Sequence, residues 1–195
     1  MKNTGKNKFL SSSISKIHMI LLLMVFFLSL PLLAALKEEV SFVIRDVPFF
    51  PQDKHQCGPA SLAGVMNYWG TKITAEKISK DIYSDSARGT LWIDLALYAR
   101  DHGFSASQYY GNWEDLIMNV NAGFPLIVFV DYGVRPVQSN HFMVVVGFRK
   151  DGVIVNSGKD KQKFEPKRKF MKVWRKTQYW TLLIRPEKQL FEYKK

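Results

Sequence analysis

Residues 125–131 (PLIVFVD) and 141–149 (HFMVVVGFR) do most to narrow the folds open to this chain. Both runs are apolar without alternation, as strands are when a sheet is covered on both faces. A polar stretch, 132–140, separates them, and Lys150-Asp151-Gly152 reads as a tight turn into a third strand at 153–156. After a loop, residues 170–176 lead to a further strand at 180–185, which opens with WTLLI. The first half of the chain has another period. Ala60, Leu62, Ala63, Val65, Met66 and Trp69 recur at spacings near three and four, which predicts a helix ending at Gly70. Three more helices are expected: one from Thr74 to about Tyr83, one over 91–102 before Gly103, and one over 113–120 after Asn112. Short strands are expected at 37–45 and 104–110. Helices first and an antiparallel sheet second make the class α+β.

The length of 195 residues suits one ordinary domain, and an apolar content of 47% argues for a packed core and against disorder. A single cysteine excludes an intrachain disulfide framework and a CxxC zinc site. The four histidines lie at unrelated spacings, so neither a metal nor a cofactor is expected. Residues 1–36 read as a signal peptide or an N-terminal membrane anchor. They carry Lys2, Lys6, Lys8 and Lys16 with no acid, then an unbroken apolar run over 19–28, the pattern of a Sec-type targeting segment. Of the formal net charge of +11, residues 37–195 therefore hold 11 − 4 = +7. Two outcomes stay open. Cleavage after Ala35 would release a soluble periplasmic or extracytoplasmic domain, whereas residues 17–36 are about long enough to stay as an inner-membrane anchor. In both cases the basic flank stays inside and residues 37–195 are exported.

Residues 52–70 (QDKHQCGPASLAGVMNYWG) hold the only cysteine, Cys57. Gly58 and Pro59 sit where a loop turns into the helix, so Cys57 is expected at its N-terminus. The partial positive charge there favours a thiolate. The competing reading is a buried, inert thiol. A lone exported cysteine has nothing in the chain to pair with, which points toward reactivity. Nucleophilic catalysis by a thiol needs a base, a group that orients it and donors for the oxyanion. His141 opens a buried strand beside a polar stretch and is the base candidate. His18 falls in the targeting segment, while His102 and His55 read as solvated. For the oxyanion, the Cys57 N–H is one donor and Gln52 the side-chain candidate. Gln56, the runner-up, reads as a polar loop residue. The orienting group is Asn156 or Ser157, at the end of the next strand. Residues 159–176 carry nine bases and two acids; this run reads as a solvated loop, with anionic polymers or lipid headgroups as the alternative. Phe49, Phe50, Trp69 and Trp92 read as core, with a substrate groove as the alternative, and residues 131–140 are expected to border the cleft.

The block PFFPQDKHQCGPASLAGVMNYWG, followed by HFMVVVGF and a short strand ending in a polar residue, resembles the bacteriocin-processing, double-glycine-leader peptidase family of papain-like cysteine peptidases. The likeness runs over residues 47–186 and is greatest to stand-alone exported bacterial members. It implies a papain-like domain over 37–195, with N-terminal helices packed on a C-terminal antiparallel sheet and a peptide or protein as substrate. It also implies Cys57 as nucleophile, His141 as base and Gln52 as oxyanion donor. The family usually orients the base with an Asp of an Asp-Pro pair. Here Asn156-Ser157-Gly158 stands there, with Ser157 in the Asp slot. A neutral partner holds the imidazole tautomer but stabilises an imidazolium less than a carboxylate does. Three readings follow: hydrolysis of peptide or amide bonds, acyl transfer to an amine, or a weak or inactive module that binds a peptide or an envelope partner. No nucleotide-binding or nucleic-acid-binding motif is seen, so neither ATP-coupled transport nor a nucleic-acid partner is expected.

Overall fold

The computed structural model describes residues 41–52, 55–87 and 89–187. The targeting segment and the start of the strand expected at 37–45 lie outside them. The described elements are, in chain order, β1 (Ser41–Val43), α1 (Cys57–Tyr68), α2 (Ala75–Ile82), α3 (Trp92–Asp101), β2 (Phe104–Tyr110), α4 (Trp113–Asn121), β3 (Leu126–Asp131), β4 (Asn140–Arg149), β5 (Gly152–Ser157), β6 (Asp160–Pro166), α5 (Lys167–Arg175) and β7 (Trp180–Pro186). No helix among the described residues is long and apolar enough to cross a membrane.

The strands form one antiparallel sheet in the order β2-β7-β3-β4-β5-β6. β1 pairs with the far end of β4, opposite Gly147 to Arg149, past the last β3 partner at Val145. The two apolar runs are β3 and β4, adjacent at the centre, with Val130 opposite His141 and Phe129 opposite Phe142. Leu126, Ile127, Val128, Met143 and Val145 are fully buried there.

α1 is buried on all sides from Gly58 to Met66, as befits a helix apolar all round. Small residues make this possible: a Cβ at Gly64 would stand 2.8 Å from the carbonyl oxygen of Pro48. The extended segment after β1 therefore crosses α1 at that glycine and runs on to Gln52. The indole N–H of Trp69 donates to the Ile184 carbonyl of β7 at 3.0 Å, tying the end of α1 to the sheet. Asn67 closes the link to α2, accepting from Ile73 N and donating to Ala63 O. The expected caps are in place: Thr74 Oγ1 accepts from Lys77 N, and Asn112 Oδ1 from Asp115 N.

The stretch after Ser157 corrects the sequence reading. It is not a loop but β6 followed by α5. β6 is an edge strand whose Asp160, Lys161, Gln162 and Lys163 are all exposed, so it lacks the alternation that marks a half-buried strand. α5 buries Phe170, Val173 and Trp174, a helical spacing hidden among five cations. The α+β class holds, with helices packed on an antiparallel sheet. Two strands, β1 and β2, nevertheless precede the last of the four expected helices, and one helix, α5, falls among the later strands.

Candidate active site

Cys57 is the first residue of α1, and Gln56 caps that helix through its backbone only, its carbonyl accepting from Ala60 N at 3.0 Å. Three elements bring other groups to it. The extended segment delivers Gln52, which is clamped twice to Gly158: its backbone N–H donates to Gly158 O at 2.8 Å, and its side-chain Oε1 accepts from Gly158 N at 2.9 Å. The clamp commits the amide oxygen and leaves the NH2 of a nearly buried glutamine to point elsewhere. β4 delivers His141 near its start. β5 delivers Ser157, whose Oγ lies 2.9 Å from His141 Nε2. Gln52, Cys57, His141 and Gly158 line one cavity of about 550 Å³, facing Thr90, Leu91, Trp92 and Phe129.

Of the two orienting candidates, Ser157 meets the imidazole. Asn156 does not; its Oδ1 accepts from Gln162 N at 2.9 Å. The pairing of β5 with β6 slips between Val155↔Lys163 and Ser157↔Asp160, and Gln162 sits in the bulge with φ at 53°. Asn156 thus holds the bulge that aims its neighbour Ser157, a use of bulges common beside active sites.

The electrostatics depart from the sequence expectation. Burial pushes the Cys57 thiol up; backbone N–H groups of Phe142, Gly58 and Cys57 itself pull the other way but are outweighed. The helix start does offer donors to the sulfur, yet its desolvation is larger. Burial, followed by the charge of Lys163, holds His141 below the usual imidazole range. Both shifts favour the uncharged thiol–imidazole pair at rest. The Lys163 ammonium lies 3.2 Å from Glu165 Oε1 and 3.6 Å from Asp160 Oδ2. The Tyr132 ring stands 6.2 Å from that of His141.

The remaining candidates fall away from the centre. His55 is exposed at the cavity rim, and Gln56 stays at the helix cap. His102 Nδ1 is bonded to Tyr98 O at the end of α3, and His18 is outside the described residues. Trp69 is packed against the core, but Trp92 is not: it is 47% exposed and lines the cleft. Behind it, Phe129, Phe142 and Trp180 form an aromatic floor, the Phe129 and Phe142 centroids 4.5 Å apart. Phe129 and Trp180 carried no signal of their own, being apolar residues inside apolar strands. A second cavity of about 250 Å³ shares Trp92, Phe129 and Asn140 with the first and reaches Asp131, Gln138 and Lys176, so residues 131–140 do border the cleft. No group of three or more His, Cys, Asp or Glu among the described residues could hold a metal.

The model of the Peptidase_C39 like family matches residues 44–181. None of the curated proteins matches the chain. Solved structures do. The peptidase domain of Streptococcus ComA, a bifunctional ABC transporter involved in quorum sensing, is 22% identical with a TM-score of 0.60, the match covering 72% of this chain and 99% of that one. A putative C39-like peptidase from Bacillus anthracis is 18% identical at 0.58, covering 74% and 97%. A double-glycine-motif protease from an AMS/PCAT transporter, solved with its leader peptide, is 24% identical at 0.59, covering 76% and 99%. At such identities the structures establish a shared fold, and the match over residues 44–181 establishes the kinship: this chain belongs to the Peptidase_C39-like family and has the papain-like α+β fold of its cysteine peptidases.

Proposed function

We propose that the chain is an exported cysteine peptidase that hydrolyses peptide bonds with Cys57 as nucleophile and His141 as base. The observation that carries this reading is the shared cavity: thiol, imidazole and glutamine amide line it together, with the imidazole tied through Nε2 to Ser157. In the productive tautomer Nε2–H donates to Ser157 Oγ and leaves Nδ1 to take the thiol proton. The thiolate attacks the substrate carbonyl, and the oxyanion is held by the Cys57 N–H and the Gln52 amide. The imidazolium then protonates the departing amine, and water, activated by the same nitrogen, releases the acid from the thioester. The likeness to a double-glycine-motif protease solved with a leader peptide supports a peptide as the ligand. The targeting segment supports export, either free after cleavage or anchored through residues 17–36.

The test is cleavage of a peptide library by the purified chain, read beside alkylation of its thiol. Wild type should cleave, and its thiol should be alkylated by iodoacetamide increasingly as pH rises toward the raised pKa of Cys57, while Cys57→Ala should do neither. A wild-type chain whose thiol is alkylated but which cleaves no peptide would sink the enzymatic reading. A second reading is supported by the uncharged resting pair and the hydroxyl in place of a carboxylate: a module that binds peptide without turning it over. It is favoured if the chain binds library peptides and leaves them intact. Products carrying an added amine would mark transfer in place of hydrolysis.

A further inference from the structure

The basic run after β5 folds into a surface whose charge the fold uses only in part, Lys167 Nζ standing 4.1 Å over the Trp113 ring. α5 carries Lys167, Arg168, Lys169, Lys172 and Arg175 and no acid, and its first turn also lacks one. Lys176 continues the series. Cations in a first turn oppose the helix macrodipole, and Arg168/Lys172 and Lys172/Lys176 are like charges at the (i, i+4) spacing that destabilises a helix. Glu165 offsets part of this through Lys169 at 2.9 Å. A face that is merely solvated mixes its signs; this one accumulates a single sign, against the dipole in the first turn and with it only in the last, where Lys172 and Arg175 lie.

The hairpin between β3 and β4 lies beside it. Lys176 Nζ donates to the Gly133 carbonyl, and Lys172 and Lys176 share a hollow with residues 133–138. Val134 and Val137 bridge across the tip, 81% and 69% exposed, with Arg135 between them. The hairpin is braced from below: Asp131 Oδ1 accepts from Gly133 N and Ser139 N, so the valines are held outward. A soluble polyanion would give the cations a partner but leave two bare valines in water. A bilayer with anionic headgroups suits both, since it attracts clustered Lys and Arg and admits apolar tips at its boundary.

We infer that the α5 face and the tip of the β3–β4 hairpin dock on an anionic lipid surface. Because Asp131, Gln138 and Lys176 also border the cleft, docking would set its mouth against the bilayer. The inference does not depend on the chemistry of Cys57.

The test is amide hydrogen exchange of the full chain reconstituted in vesicles of phosphatidylcholine alone and of phosphatidylcholine with phosphatidylglycerol. It reads α5 and residues 132–139 separately, so attachment through residues 1–36 does not enter the signal. Slowing of both segments only in the anionic vesicles is expected. Combined Arg168→Gln, Lys172→Gln and Arg175→Gln should abolish it, while exchange in the central strands stays as in wild type. Val134→Ser with Val137→Ser should remove the slowing of the hairpin and keep that of α5. Equal exchange in the two vesicle types overturns the inference. So does slowing of α5 by soluble polyphosphate with no slowing of the hairpin by either membrane.

Discussion

At the scale of residues, the site is decided by what surrounds one imidazole. His141 is held below the ordinary value of about 6.5, by burial first and by Lys163 second. A base must be neutral to accept the thiol proton, and its neutral fraction is lost as pH falls through its pKa. A lowered pKa therefore moves the acid limb of the rate profile below the ordinary imidazole range, and the limb belongs to the coupled pair. Replacing Lys163 with Gln removes the nearby charge, so the limb should move up in pH, as a profile of kcat/KM would read. Ser157→Asp should move it further the same way and raise the rate near neutrality, because a carboxylate stabilises the imidazolium that forms during attack. If the limb stays in place in both variants, His141 is not the titrating base. The oxyanion role proposed for Gln52 predicts a different effect: removing one such donor lowers turnover by about a hundredfold. Gln52→Ala should show that loss in kcat with little change in the position of the limbs.

At the scale of elements, α1 was legible and β6 was not. α1 declared itself by apolar spacing and by Gly58-Pro59 at its start, and His141 by opening an apolar run. Those two signals put the thiol at a helix start and the imidazole near a strand start, and the two residues line one cavity. β6 gave none, because an edge strand of lysines facing water has no apolar face to reveal. With it went the bulge at Gln162, and so the choice between Asn156 and Ser157. A strand register is set by a partner, and the partner was invisible. The same blindness affects Gly64. In an isolated helix, alanine there would be favoured by roughly 0.5–1 kcal/mol. Here its Cβ would meet the Pro48 carbonyl at 2.8 Å, a backbone atom that cannot rotate away. Overpacking of this kind costs about 1–3 kcal/mol. Gly64→Ala should therefore lower the melting temperature despite the better helix former, and it should slow catalysis as well, since the displaced segment carries Gln52. A rise in melting temperature would mean that the segment has room to give.

At the scale of the whole molecule, the site is assembled from parts of the chain that meet only in the finished sheet. The strand order β2-β7-β3 could not be read from the sequence, because β7 enters between two strands formed far earlier in the chain. β1 is the extreme case, pairing with β4 across most of the described residues. It fits closely there: a Cβ at Gly147 would stand 2.6 Å from Phe42 O, Ile44 N donates to Val146 O at 2.8 Å, and Ile44 is buried. This makes the contribution of β1 testable by truncation. A chain beginning at residue 36 keeps all seven strands. One beginning at residue 47 loses β1 and Ile44 and leaves the end of β4 unpaired at an edge. The lost side-chain burial is worth about 2 kcal/mol, and each lost hydrogen bond about 1 kcal/mol. At roughly 2–4 °C per kcal/mol for a domain of this size, the shorter chain should melt lower by on the order of 10 °C. Its activity should fall with its stability, since the segment that follows β1 carries Gln52 to Gly158. Equal melting temperatures for the two chains would show that β1 only rests on the sheet, and that the clamp at Gly158 is enough to hold the segment in place.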